Sequence, residues 1–318
     1  MRNAFADELE KMAVLDERIV TLSGDIGNRL FDSYKNRFPT RFYNCGVAEA
    51  NMASMACGLA MSGFKPITYT IAPFNTTRCL EQIRDDICYH NQPVIIVGVG
   101  AGLSYAQLGC THHSCEDLSF LRSLPNMTVL CPGDAVELRT LFRQALTLEG
   151  PVYLRIGKKG EPVVSPDVSD IQIGRGLSLR EGTDVCLITT GNMLPTALEV
   201  EEKLRLEKIS TQVVSFHTVK PLDKKMLHAA FTSFDCVVSL EEHSLIGGLG
   251  SSLAEWMVDH QIKHEGFIRF GTPDSFPHAV GSQAYLRKHY HLDAPSITHK
   301  IHEFLKKKEL ICTPEPLS

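Results

Sequence analysis

The sequence has no apolar run near the roughly 18 residues that a membrane-crossing helix requires. It has no basic excess either. Its 32 Lys and Arg stand against 37 Asp and Glu, a net charge of −5, and no Lys/Arg stripe carries interleaved aromatics, so neither nucleic acid nor membrane is expected as a partner. The opening residues, MRNAFADELEKMAVLDE, place acids where a secretory signal would carry its apolar core, so no targeting segment is read and a cytoplasmic protein is expected. The common nucleotide loops are missing too. GVGAGLSYA begins like a dinucleotide fingerprint, but Leu103 or Tyr105 stands where the last glycine is needed, and neither a Walker A loop nor a G-x-S-x-G elbow occurs.

What is present is an ordinary globular composition, 43% apolar and 22% charged over 318 residues, long enough for two domains. Ten cysteines are scattered (45, 57, 79, 88, 110, 115, 131, 186, 236 and 312) and are expected to be reduced, buried and small-hydrophobe-like. Strand-like runs (IVTLSGD, KPITYTIAPF, PVIIVGVG, MTVLCPGD, PVYLRIG) alternate with helical patterns such as TRCLEQIRDDICYH, with Leu80, Ile83 and Ile87 at core-facing spacing. The polar, Gly/Pro-punctuated stretch 161–183 reads as an interdomain crossing. Beyond it DVCLITTG, STQVVSFHTVKPLD, DCVVSLEEH and GFIRFG repeat the rhythm. The expected fold is α/β: two domains, 1–160 and 184–318, each a mostly parallel sheet flanked by helices.

Two stretches carry chemistry. In NCGVAEANMASMACGLAMSGFKP, Glu49 is the one acid among Ala, Ser, Cys, Gly and Met, and no Lys or Arg occurs between Arg41 and Lys65. A buried, unpaired carboxylate is costly. Glu49 is therefore expected either to be exposed at a helix start, complementing the helix dipole, or to meet a polar group outside this chain. In LGCTHHSCEDLSFLR, Cys110, His112, His113 and Cys115 suggest zinc, but ligands this tightly packed do not match the usual spacing. A polar surface loop, or a loop at a strand's carboxyl end presenting imidazoles to substrate oxygens, remains open.

Taken in order, GVAEANMASMACGLAMSGFKP, FNTTRCLEQIRDDI, THHSCEDLSFLRSLPNMTVLCPGD, SFHTVKPLD and EEHSLIGGLGSSLAEWM resemble the pyrimidine-binding and C-terminal domains of transketolases and deoxyxylulose-phosphate synthases, across nearly the whole chain. The resemblance implies thiamine diphosphate as cofactor, with Glu49 matching the glutamate that hydrogen-bonds the aminopyrimidine ring nitrogen and supports its imino form. It implies that Phe74 stacks on that ring and that Asp25 lies near the cofactor. It places His112, and less closely His113, on sugar oxygens, and Arg78 near a substrate phosphate. Lys158 falls near a second phosphate contact, with Arg155 and Lys159 as rivals. A core phenylalanine and a solvated helix arginine are the plain alternatives for Phe74 and Arg78.

The same resemblance exposes a gap. Relatives hold Mg²⁺ and the diphosphate through a G-D-G…Asn motif in a preceding domain, and neither SGDIGN nor PGDAVE completes it. The chain is therefore expected to be the C-terminal section of a split transketolase. An N-terminal-section partner would carry that motif and the Mg²⁺, and this chain would self-associate at least as a homodimer within a heterotetramer. Leu108 stands where relatives commonly carry an Asp that touches a substrate hydroxyl, so an unusual sugar or sugar phosphate is expected. The rivals are a 2-oxo acid dehydrogenase β-type subunit, a synthase-like condensation using pyruvate, and a non-catalytic regulatory subunit.

Overall fold

The computed structural model describes residues 1–27, 29–165 and 171–312, with side chains described to residue 307. Residues 166–170 of the expected crossing, Asn28 of SGDIGN and the Cys312 side chain lie outside the described residues. The strands are β1 Ile19–Ser23, β2 Phe42–Asn44, β3 Lys65–Ile71, β4 Ile95–Val99, β5 Thr128–Leu130, β6 Val152–Ile156, β7 Leu177–Arg180, β8 Val185–Thr189, β9 Thr211–Ser215, β10 Thr218–Lys220, β11 Cys236–Ser244 and β12 Phe267–Thr272.

They form two sheets. The first runs β10-β5-β6-β4-β3-β1-β2, parallel except for β10; the second runs β12-β11-β8-β9-β7, parallel except for β7. Central strands such as β4 (IIVGV) and β8 (VCLIT) are buried along their whole length. That suits continuous apolar runs covered by helices on both faces. The first half thus has a core on each side of its sheet, one around Phe5, Tyr69 and Phe142 and the other around Met52, Ile83 and Leu118. Helices Arg2–Leu15 and Ala135–Ala145 cover the former, and Glu49–Met61 the latter.

Three elements differ from the sequence reading. The helix expected over TRCLEQIRDDICYH is a 3-10 turn (Thr77–Cys79), one α turn (Leu80–Gln82) and a π-helical segment (Ile83–Cys88). Ile83 and Ile87 are buried as the spacing requires, while Leu80 is only half-buried. Residues Leu177–Arg180, inside the stretch read as a crossing, pair antiparallel with β9 at the edge of the second sheet. The run STQVVSFHTVKPLD, expected as one strand followed by its loop, holds two strands: β9 stays in the second sheet, and β10, where the loop was expected, crosses back to pair antiparallel with β5 of the first. A sequence pattern shows an extended run but not which sheet accepts it.

The two halves also meet through buried polar groups. Asp117 and Arg155 are paired at 2.8 Å with both side chains 1% exposed, and Arg155 also donates to the carbonyls of Ser114 and Glu242. The Glu242 carboxylate accepts from Leu103 N–H, Asn192, Gln283 and Arg287. Gly102, at φ +58°, lets the chains approach: an added Cβ would stand 2.5 Å from the Glu242 carbonyl oxygen.

Two buried groups at this junction pull the pH profile in opposite directions. Burial pushes His217 down from 6.5 to about 4, and burial pushes Glu137 up from 4.5 to about 7 despite the hydrogen bond from Gly133 N–H. The folded pKa of His217 lies below its unfolded value, so its contribution is complete above pH 6.5 and is lost as pH falls through about 4. The folded pKa of Glu137 lies above its unfolded value, so its contribution is complete below pH 4.5 and is lost as pH rises through about 7. Glu137→Gln is therefore expected to make stability rise more steeply between pH 4.5 and 6.5, read as Tm across a pH series. An unaltered slope would mean that Glu137 is already ionised in the fold.

Candidate active site

The parallel strands of the first sheet all point their carboxyl ends the same way, and the loops leaving β1, β2, β3, β4 and β6 carry the candidate residues. This is the edge where open α/β sheets build sites. After β2 the chain turns into the helix Glu49–Met61, whose N-cap, Ala48, offers no side-chain cap. Glu49 thus brings a carboxylate to the positive end of the helix. Gly24, after β1, lies against it: an added Cβ there would meet Glu49 Cγ at 3.3 Å.

Glu49 is 1% exposed, and Arg78 Nη1 donates to its Oε2 at 2.8 Å. One expectation is corrected: Glu49 is not an exposed helix start but is buried, and it has an ion-pair partner within this chain. The partner lies 29 residues along, in the turn after β3, where a search of the flanking sequence could not find it.

The Arg78 guanidinium also lies 4.1 Å from the centre of the Phe74 ring. The His112 ring meets Phe74 edge-on at 5.2 Å and Tyr105 at 6.2 Å, and Lys158 Nζ sits 4.7 Å from the Tyr105 ring centre. Glu49, Arg78, Phe74, His112, Tyr105 and Lys158 thus form one continuous line. Burial lowers the pKa of His112, and the neighbouring His113 and Arg78 lower it further, which favours a neutral imidazole near pH 7. Its Nδ1 lies 2.9 Å from Thr111 Oγ1.

Other candidates are placed differently. His113 is buried, with Nε2 3.3 Å from the Ala106 carbonyl, and lines a cleft of about 260 Å³ between the halves together with Cys110, Thr272 and Phe276. The Asp25 carboxylate accepts from Asn44 at 2.9 Å, in a residue at φ +56°. Arg155, one rival for a phosphate contact, is corrected: it is 2% exposed and committed to Asp117, whereas Lys159 is exposed. Leu108 is 52% exposed and offers no acceptor. Cys110 is exposed, and burial raises the pKa of Cys115. Among the described residues no group of three or more His, Cys, Asp or Glu could hold a metal ion.

Sequence reasoning missed Tyr105, which links His112 to Lys158, and the buried acids Asp117, Glu241 and Glu242. A signal existed for the last two: adjacent acids inside the apolar strand VVSLEEH. Glu241 accepts from the N–H groups of Leu249 and Gly250, opening the helix Leu249–Asp259.

Residues 1–161 match the family model described as the transketolase pyrimidine binding domain, and residues 174–297 that of the transketolase C-terminal domain. A putative transketolase C-terminal section of Methanocaldococcus jannaschii is 34% identical over 311 residues, covering 97% of each chain. A 6-deoxy-6-sulfo-D-fructose transketolase subunit of Clostridium sp. is also 34% identical, over 97% of this chain and 95% of its own. A 1-deoxy-D-xylulose-5-phosphate synthase of Chlorobium phaeovibrioides is 34% identical, but the chain spans only 48% of that protein. Among solved structures, one described as a split gene transketolase, inactive beta4 tetramer, superposes with TM-score 0.86 at 34% identity, covering 96% of this chain and 97% of that one.

Proposed function

The chain belongs to the transketolase family, matching proteins named as its C-terminal section, and from that premise we propose that it is the C-terminal-section subunit of a split, thiamine-diphosphate-dependent transketolase. With an N-terminal-section partner it moves a two-carbon ketol unit from a ketose to an aldose. The observation that carries this is the buried Glu49 carboxylate beside the Phe74 ring, at the carboxyl edge of a parallel sheet. A carboxylate next to an aromatic ring suits a flat nitrogen heterocycle. The buried Glu49 carboxylate and the Phe74 ring suit the pyrimidine end of the cofactor, and the metal and diphosphate are assigned to the partner because SGDIGN and PGDAVE do not complete the G-D-G…Asn motif.

Bound there, thiamine diphosphate would supply the nucleophilic chemistry needed to break a ketose next to its carbonyl. Glu49 would hydrogen-bond the ring nitrogen, and Phe74 would stack on the ring. His112, kept neutral, can both donate to and accept from sugar oxygens. Arg78 and Lys158 supply positive charge for a phosphate, with Asp25 near the cofactor and His113 as a weaker sugar contact. Leu108 removes one acceptor from the sugar site. Similar subunits are named for 6-deoxy-6-sulfo-D-fructose and, at 32% identity, apulose-4-phosphate, which supports a sugar outside the usual set.

An added Cβ at Gly58 would meet nothing within 4 Å. That glycine is not required for packing within the chain, which supports a second copy approaching the Glu49–Met61 helix closely. The isolated chain is expected to bind thiamine diphosphate weakly or not at all, even with Mg²⁺; tight calorimetric binding to it alone would overturn the split-site assignment. The similarity to the synthases favours a second reading, condensation from pyruvate. Assaying the reconstituted pair with ketose phosphates and with pyruvate separates the two.

A further inference from the structure

One side chain holds both of the groups that the proposed cofactor would need. Arg78 Nη1 donates to Glu49 Oε2 at 2.8 Å, and the same guanidinium covers the Phe74 ring at 4.1 Å. A guanidinium is a flat plate of N–H donors that pairs with carboxylates and stacks on aromatic faces. A protonated or amino-substituted pyrimidine offers a carboxylate and a ring the same contacts. The arrangement is asymmetric: the Glu49 side chain is 1% exposed and the Arg78 side chain 41%. A carboxylate so buried requires a counter-ion, and among the described residues Arg78 is the basic group that meets it. Arg78, in contrast, stands on the short 3-10 turn Thr77–Cys79 with much of its length in solvent, so it can leave without unpacking the core.

We propose that Arg78 is a placeholder for the heterocycle. It holds the Glu49 carboxylate and covers Phe74 until a planar nitrogen donor displaces it, so loading exchanges one flat cation-like partner for another. Once released, the guanidinium stands at the mouth of the site and is available to an anionic substrate, which makes cofactor loading precede productive substrate binding. The inference rests on the reading of Glu49 as the cofactor's partner, and the test keeps the two apart.

Thiamine diphosphate is titrated with Mg²⁺ into the reconstituted pair and followed by calorimetry. Arg78→Met, which leaves no ion pair to break, is expected to bind about tenfold more tightly than wild type, and Arg78→Lys, lacking the planar fork, to fall between them. Glu49→Gln should weaken binding. If Glu49→Gln leaves affinity unaltered in the Arg78→Met background, where no ion pair is lost, the cofactor reading fails. If it weakens binding while Arg78→Met leaves affinity unchanged or lowers it, the placeholder is overturned and the cofactor reading stands. Melting of the isolated full chain gives a second readout. Arg78→Met should lower Tm by about 2–4 °C, and the loss should vanish in a Glu49→Gln background. Equal losses in both backgrounds would show that Arg78 is not the counter-ion of Glu49 and would overturn the proposal. Should Arg78→Met fold poorly, Arg78→Gln carries the same comparisons.

Discussion

Glu49→Gln in the reconstituted enzyme is expected to preserve fold and assembly but to slow proton exchange at the cofactor's reactive carbon by roughly 10²–10⁴-fold, the usual range for a lost acid–base group. Glutamine has nearly the same shape and can still hydrogen-bond a ring nitrogen, but it cannot share a proton with it. Were Glu49 only a helix-dipole partner, the same change would cost roughly 0.3–1 kcal/mol of stability and leave exchange alone. Deuterium exchange followed by NMR distinguishes the outcomes, and an unchanged rate would remove Glu49 from the chemistry. The Arg78 pair adds a condition on the comparison. Glu49→Gln also frees the guanidinium, so exchange is measured at saturating cofactor, where loading no longer limits the signal.

A change of comparable size, in stability rather than rate, is expected at the junction of the two halves. Asp117 and Arg155 are each 1% exposed in their side chains, and Tyr153 donates to the same carboxylate oxygen at 2.6 Å. Burial alone would raise the pKa of Asp117; the Arg155 guanidinium beside it outweighs that and holds it below its ordinary value of 3.8. Asp117→Leu leaves a buried guanidinium without its counter-ion and is expected to cost about 3–5 kcal/mol, measured by urea denaturation. The double replacement Asp117→Leu with Arg155→Met removes both charges and is expected to cost less than the single change. A double variant as unstable as the single one would assign the loss to packing and to Tyr153 instead. Because the folded pKa of Asp117 is depressed, the stability it contributes is present above pH 3.8 and is lost as pH falls.

Much of the architecture was legible in the residues. Continuous apolar runs such as IIVGV and VCLIT mark strands buried on both faces, and their alternation with helical patterns indicates a parallel sheet. The spacing of Ile83 and Ile87 identified the buried face of their segment even though its hydrogen bonds are partly π-helical. Glu49, Phe74, Arg78 and His112 were singled out through short motifs, and the structure brings these four together. Their roles in chemistry stay proposals for the experiments above.

By itself, then, the sequence determined the central strands, most of the helices, the family, and the residue types assembled at one sheet edge, while the edge strand Leu177–Arg180 escaped it. These depend on periodicity, local propensity and motif order, all properties of neighbouring residues. Only the tertiary structure decided that Arg78 neutralises Glu49, that Arg155 is a buried structural cation rather than a surface phosphate contact, that His113 faces a different cleft from His112, and that β10 leaves its own half to join the first sheet. Each of these turns on which distant groups come within hydrogen-bonding reach. That is settled by the cost of leaving buried charges and strand edges unpaired, which acts through space and leaves no mark in the spacing of residues along the chain.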